Sequence, residues 1–259
     1  MRQFFSRLIY RGLTLFTRTA GRSLAQLEVV GLGRIPADGP LILICNHAHI
    51  VDPPLVGSFS PRPVHTMAKR ELFEVPLIGW IFWAVGAFPV RRFSGDLGAL
   101  RVARNYLRDN GVVLMYPEGT RNHGLGLKPA LPGAAMVALF TNATVIPVAI
   151  DGSHTIRWKT VPFLWMLGRR PHIRIEYGEP MILGRADKDD GATTGSSKGD
   201  ASAQGAMAAT DRVMREVAAL LPEDQRGAYG ADSAGTIVVA RGTPDQHDRF
   251  EEERRGSRE

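Results

Sequence analysis

The sequence predicts an α/β domain: a single largely parallel mixed sheet flanked by helices. Two observations carry this. Short, unbroken apolar runs at 41–45, 112–116 and 144–150 have the length and composition of strands buried on both faces. Helical spacing fills the segments between them, at about 95–109 and 131–141. Strands that alternate with helices close into a parallel sheet. The chain has 259 residues, of which 44% are hydrophobic and 22% charged, which supplies a core of that size and excludes a collagen-like, coiled-coil or wholly disordered chain.

From the N-terminus, residues 1–22 hold five arginines and no acid. Phe5, Leu8, Ile9, Leu13 and Phe16 recur at helical spacing, and Arg2, Arg7, Arg11 and Arg18 fall mostly on the other side. This predicts a basic amphipathic helix over 1–24 lying on a membrane surface; the alternative is a helix packed on its own domain. The arginines interrupt the apolar run, which argues against a cleaved signal peptide. Pro36-Ala-Asp-Gly-Pro40 is a turn signal, after which Leu41 to Cys45 reads as the first strand. Residues 77–90 carry no charge, but fourteen residues are too few to span a bilayer. They and the apolar patch at 161–167 read as core, or else as a greasy groove or a dip into the lipid interface. Residues 171–177 alternate, as expected nearer a sheet edge. Small polar residues over 184–205 predict a flexible insertion. Val213, Val217, Leu220 and Leu221 restore a helix before Pro222, and residues 223–259 read as a mostly disordered tail. The domain proper is therefore expected at 25–222.

Charge narrows the function. A net charge of +6 and a pI near 9.8 point to anionic partners. No aromatic-interleaved RNA motif, zinc-finger spacing or zipper pattern is present, so nucleic acid is not expected. One cysteine excludes an internal disulfide and a zinc site of several thiolates.

Three constellations can carry chemistry. Asn46-His-Ala-His-Ile-Val-Asp52 follows a buried strand, where α/β proteins place ligands. On an ideal helix His47 and Asp52 would stand roughly 140° apart, so they meet only in a loop that enters a helix. Asp52 could then hold one ring nitrogen of His47 and leave the other as a general base. The same residues also fit a plain helix cap beside a satisfied loop histidine. Tyr116-Pro-Glu-Gly-Thr-Arg121 follows a second strand: Gly119 permits a tight turn, and Thr120, backbone N–H groups and Arg121 can donate to an anion. A surface turn with a Glu118–Arg121 ion pair is the alternative. Gly86-Ala-Phe-Pro-Val-Arg-Arg92 ends an apolar run in two cations, which suits a phosphate head with an acyl tail; two solvated arginines would read the same. Lys69 and Arg70 add basic charge.

Taken together and in this order, His47 with Asp52, GAFPVRR, YPEGTR and Val145-Ile-Pro-Val148 closely resemble the glycerol-phosphate and lysophospholipid acyltransferase family. The resemblance runs over about 25–222 and includes the flanks at Lys69-Arg-Glu-Leu-Phe73 and Val213 to Pro222. It implies an O-acyltransferase, most typically acting on 1-acylglycerol 3-phosphate to give phosphatidate. By the same resemblance His47 is the base and Asp52 orients it. Arg92, Glu118, Gly119, Thr120 and Arg121 hold the acceptor's glycerol phosphate, with Arg91 and Lys69 as further candidates, and Pro147 belongs to a strand backing the site. No cofactor or metal is implied; acyl-CoA or acyl-carrier protein is the co-substrate, and membrane lipids are the partners. The expected location is the cytoplasmic face of a membrane, peripheral or monotopic. Two features depart from the family: His49 stands where serine is common, and the insertion at 184–205 is long.

Rival readings are a metal hydrolase built on His47 and His49, which lacks further ligands at a recognisable spacing in His65, His123, His154 or His172, a cysteine acyl-enzyme on Cys45, and a basic membrane-binding protein without chemistry.

Overall fold

The computed structural model describes residues 2–91, 96–157, 166, 168–184 and 198–231. Its strands are β1 (Gln26–Val30), β2 (Leu41–Cys45), β3 (Val64–Lys69), β4 (Phe88–Val90), β5 (Val112–Met115), β6 (Thr144–Asp151), β7 (His172–Tyr177) and β8 (Met181–Ile182). Its helices are α1 (Arg2–Leu24), α2 (Asp52–Phe59), α3 (Ile78–Ala84), α4 (Leu97–Arg108), α5 (Gly133–Thr141) and α6 (Lys198–Ala219).

The strands form one sheet in the order β1-β7-β6-β2-β5-β3-β4. β6, β2, β5, β3 and β4 run parallel, while β7 and β8 lie antiparallel to β6 and β1 pairs parallel with β7. The mixed, largely parallel sheet is as the apolar runs predict. β2 sits at its centre, paired with β6 on one side and β5 on the other.

Alternation along each strand divides the core in two. Ile42, Ile44, Val113, Met115, Val145 and Ala149 face α4, α5 and α6, where Ala103, Leu107, Ala134, Ala138, Val213 and Val217 cover them. Leu41, Leu43, Cys45, Leu114, Ile146 and Val148 face α2 through Leu55, Val56 and Phe59. Each fully buried Leu or Ile contributes roughly 1.5–3 kcal/mol.

α1 is a helix, as its periodicity predicts, but part of its charge is used inside the domain. Arg18 Nε donates to Ser58 O, and the Arg18 and Arg22 guanidinium groups lie over the Phe59 ring at 5.7 and 5.3 Å. Tyr10 Oη accepts from Val64 N at 3.0 Å. Leu8, Leu15 and Phe16 stay exposed on the helix, and Trp80 and Trp83 are exposed on α3. Among the described residues no helix is long and apolar enough to cross a membrane.

One expectation needs correction. Residues 198–205 belong to α6 rather than to a loop; alanines at 201, 203 and 206 favour helix, a preference masked by their small polar neighbours. Residues 185–197 lie outside the described part, as does most of the patch at 161–167. The first residues of the tail expected at 223–259 are described as well. Glu223–Gln225 and Gly227–Tyr229 form 3₁₀ turns, with Tyr229 buried and its Oη accepting from Ala130 N at 3.0 Å. One aromatic anchor suffices, and the average composition of 223–259 hides it. Residues 232–259 lie outside the described part.

Tyr177 ties the sheet to α2: it is fully buried, and its hydroxyl donates to Val56 O at 2.7 Å. Tyr177→Phe removes that buried bond, and should lower unfolding free energy by about 1–3 kcal/mol in denaturant titration.

Candidate active site

The parallel strands β2, β5 and β6 end at the same edge of the sheet, and the loops after β2 and β5 converge there. Asn46 fixes the first exit. Its side chain donates to Ile150 O at 2.9 Å and accepts from Ile150 N at 2.8 Å, so it continues the β2–β6 pairing as an amide. The backbone then turns sharply into α2.

Asp52 organises that turn. It is fully buried, and its Oδ2 accepts from His47 Nδ1 at 2.9 Å, Ala48 N at 2.7 Å and His49 N at 2.6 Å. His47 and Asp52 therefore meet, in the loop-into-helix arrangement that their spacing requires. With Nδ1–H committed to the carboxylate, Nε2 keeps its lone pair. The Tyr116 ring packs on the imidazole with centroids 4.4 Å apart and planes tilted by 33°.

The Tyr116–Arg121 loop lies against His47. Gly119 adopts a φ of 68°, a left-handed turn that suits glycine. The resemblance puts Glu118 among the acceptor-holding residues, but its carboxylate is buried and both oxygens face the protein. Oε1 accepts from His47 N at 2.9 Å, Oε2 from Lys128 N at 2.9 Å, and Asn122 Nδ2 donates to both at 3.1 Å. Burial raises its pKa to about 7 against those donors. Asn122 N also donates to His47 O at 2.7 Å.

Arg121 is half-buried beside this cluster, and its carbonyl accepts from Lys128 Nζ at 2.9 Å. Among the described residues no hydrogen bond or ion pair engages its guanidinium. Gly119 and Thr120 are likewise partly open. Burial lowers the pKa of His49; the nearby Asp52 carboxylate opposes that shift and the Arg121 guanidinium adds to it.

The other candidate cations stand apart. Lys69 ends β3 and Arg91 follows β4, two and three strands away from β2. At ~4.8 Å per strand that is roughly 10 and 14 Å along the sheet. Lys69 pairs with Glu71 at 3.5 Å, and the exposed Arg91 donates through its backbone N–H to Asp96 at 2.9 Å. Arg92 lies outside the described residues.

The rival chemistries find little support in this geometry. Burial, with Asp52 and Glu118 nearby, raises the Cys45 pKa well above its ordinary value, which disfavours the nucleophilic thiolate. Among the described residues no group of three or more His, Cys, Asp or Glu is arranged to hold a metal ion.

Sequence reasoning missed the roles of Asn46, Asn122 and Lys128. Asn46 left a signal, an amide directly after an unbroken apolar strand. Asn122 and Lys128 left none in their spacing.

Comparison with known proteins agrees with this fold. A family model described as Acyltransferase matches residues 26–151. A 1-acyl-sn-glycerol-3-phosphate acyltransferase of Bacillus subtilis is 30% identical over 128 residues, covering 49% of this chain and 63% of that protein. One from Cocos nucifera is 31% identical over 121 residues, covering 46% and 39%. The chain thus spans about half the length of these relatives. The crystal structure of the 1-acyl-sn-glycerophosphate acyltransferase from Thermotoga maritima matches with a TM-score of 0.55, at 22% identity, over 82% of each chain, and so shares the fold.

Glu118 makes a prediction about pH. Its pKa is near 7 when folded and near 4.5 in its ordinary state, so the folded chain keeps a proton that the unfolded chain releases. The stability it supplies is complete below pH 4.5 and is lost as pH rises to about 7. The loss is about 3 kcal/mol. Between pH 4.5 and 8, unfolding free energy should fall more in the wild type than in Glu118→Gln, by about that amount; equal slopes would mean the carboxyl is not held protonated.

Proposed function

We propose, from the match of residues 26–151 to the Acyltransferase family model, that this protein transfers a fatty acyl group from acyl-CoA or acyl-carrier protein to the free hydroxyl of a lysophospholipid. The acceptor that fits best is 1-acylglycerol 3-phosphate, giving phosphatidate. One observation carries the reading: an imidazole whose Nδ1 is fixed by a buried carboxylate lies beside a loop that carries the Arg121 guanidinium, which no hydrogen bond or ion pair engages among the described residues.

In this mechanism His47 Nε2 takes the proton from the acceptor hydroxyl as that oxygen attacks the thioester carbonyl. The C–O bond forms, the tetrahedral intermediate collapses, and the C–S bond breaks. The departing thiolate receives the proton from His47, which returns to its starting state. Asp52 stabilises the imidazolium in between and holds its tautomer. A placed base contributes ~10²–10⁴-fold; holding hydroxyl and thioester together contributes more. No cofactor enters the reaction.

Arg121 offers a planar fork to the acceptor phosphate, with Gly119 and Thr120 at the same turn. Lys69, Arg91 and Arg92 sit farther along the sheet edge or outside the described residues, and would meet the anionic lipid surface or the outer part of a substrate. Leu8, Leu15, Phe16, Trp80 and Trp83 give exposed apolar surface for a peripheral seat on the cytoplasmic side of a membrane.

The test is product analysis by mass spectrometry, with one acyl-CoA and a panel of lyso-acceptors. Phosphatidate from lysophosphatidate is expected. A different acylated product would keep the chemistry and change the acceptor, and no product from any acceptor or donor would overturn the reading. His47→Ala should lower kcat by at least ~10²-fold, within the range a general base contributes; a near-normal rate would remove the base. Arg121→Ala should raise the acceptor KM by ~10-fold or more, since one charge-assisted contact is worth ~1.5–3 kcal/mol.

A further inference from the structure

We infer that Asn122 is a positioning residue, which closes with Glu118 a buried ring of hydrogen bonds around the His47 backbone. The ring runs through three residues. His47 N donates to Glu118 Oε1 at 2.9 Å; Asn122 Nδ2 donates to that same oxygen at 3.1 Å; Asn122 N donates to His47 O at 2.7 Å. Both backbone polar groups of His47 are therefore held by one pair of residues from the loop after β5. All three members are buried: His47 is 7%, Glu118 3% and Asn122 3% exposed.

The ring matters because Asp52 fixes only the Nδ1 side of the imidazole. The position of Cα depends on what grips the peptide, and here the grip comes from the residue directly after Arg121. Asn122 Oδ1 also accepts from Gly124 N at 3.0 Å, which shapes the turn beyond. In the acyltransferase reading above, on which this inference rests, base and phosphate-binding loop then move as one body. A displacement of even ~1 Å at a reacting centre can cost about 10²-fold in rate.

The experiment compares wild type, Asn122→Ala and Asn122→Asp with acyl-CoA and 1-acylglycerol 3-phosphate, across about pH 6 to 9, with the thermal midpoint and circular dichroism of each. Asn122→Ala should lower kcat about tenfold or more, change the acceptor KM less than about threefold, and lose more activity than its unfolded fraction explains. Asn122→Asp keeps the shape but sets a second carboxylate beside Glu118, so its deficit should grow as pH rises and the pair loses its shared proton. The other titratable groups around this pair are His47, Lys128, Cys45 and Tyr229, and all are common to every variant. A second readout needs no turnover: in ¹⁵N-histidine-labelled protein, the His47 Nδ1–H resonance should shift or exchange faster in Asn122→Ala. A kcat within about twofold of wild type, or an unshifted His47 resonance, overturns the inference. An inactive wild type would instead overturn the acyltransferase reading, and the resonance would still decide the role of Asn122.

Discussion

A carboxylate withdrawn wholly from water costs several kcal/mol unless its charge is met by donors. Asp52 is such a group, and one of its oxygens gathers an imidazole N–H and two successive backbone N–H groups. That single oxygen decides the path of the chain between β2 and α2. The N–H groups of residues 48 and 49 can converge on it only if the backbone turns back over the helix start. Once it turns, the His47 ring is brought onto the carboxylate as well. Catalytic geometry and helix initiation are thus solved by the same contact, and Pro53 and Pro54, which need no N–H partner in the first turn, suit that helix start.

Around this turn the structure uses polar side chains as backbone substitutes. β2 and β6 part beyond Cys45, where their ladder would leave carbonyl and amide groups bare in the core. Asn46 fills both gaps with its amide. Glu118 does the same for the amides of His47 and Lys128, two segments with no secondary structure of their own. A sheet edge can therefore open wide enough for a substrate while these backbone groups at its strand ends keep partners.

Burial on both faces is why β2, β5 and β6 could be read from hydrophobicity alone. β1 (Gln-Leu-Glu-Val-Val) is partly exposed at the sheet edge and carries charge, and so left no such mark. β4 is only three residues long and lay hidden in the uncharged run at 77–90. His47, Asp52 and Arg121 were legible as chemistry because few other roles need those types in that order. Glu118 was legible as important but not in its use: an acid in a turn reads as exposed, and only tertiary folding brings two distant amides to it. Asn122 was silent for the same reason, since an asparagine in a glycine-rich loop is ordinary.

The last described turns add a constraint in time. Leu127 N donates to Gln225 O, and Ala130 N to Tyr229 Oη, a partner 99 residues downstream. On a ribosome adding ~5–20 residues per second, that partner emerges roughly 5–20 s after the loop it secures. Until then the amides of Leu127 and Ala130 lack these partners. The nascent chain can lay down its central strands early, but the pocket becomes rigid only once residues 225–229 have emerged.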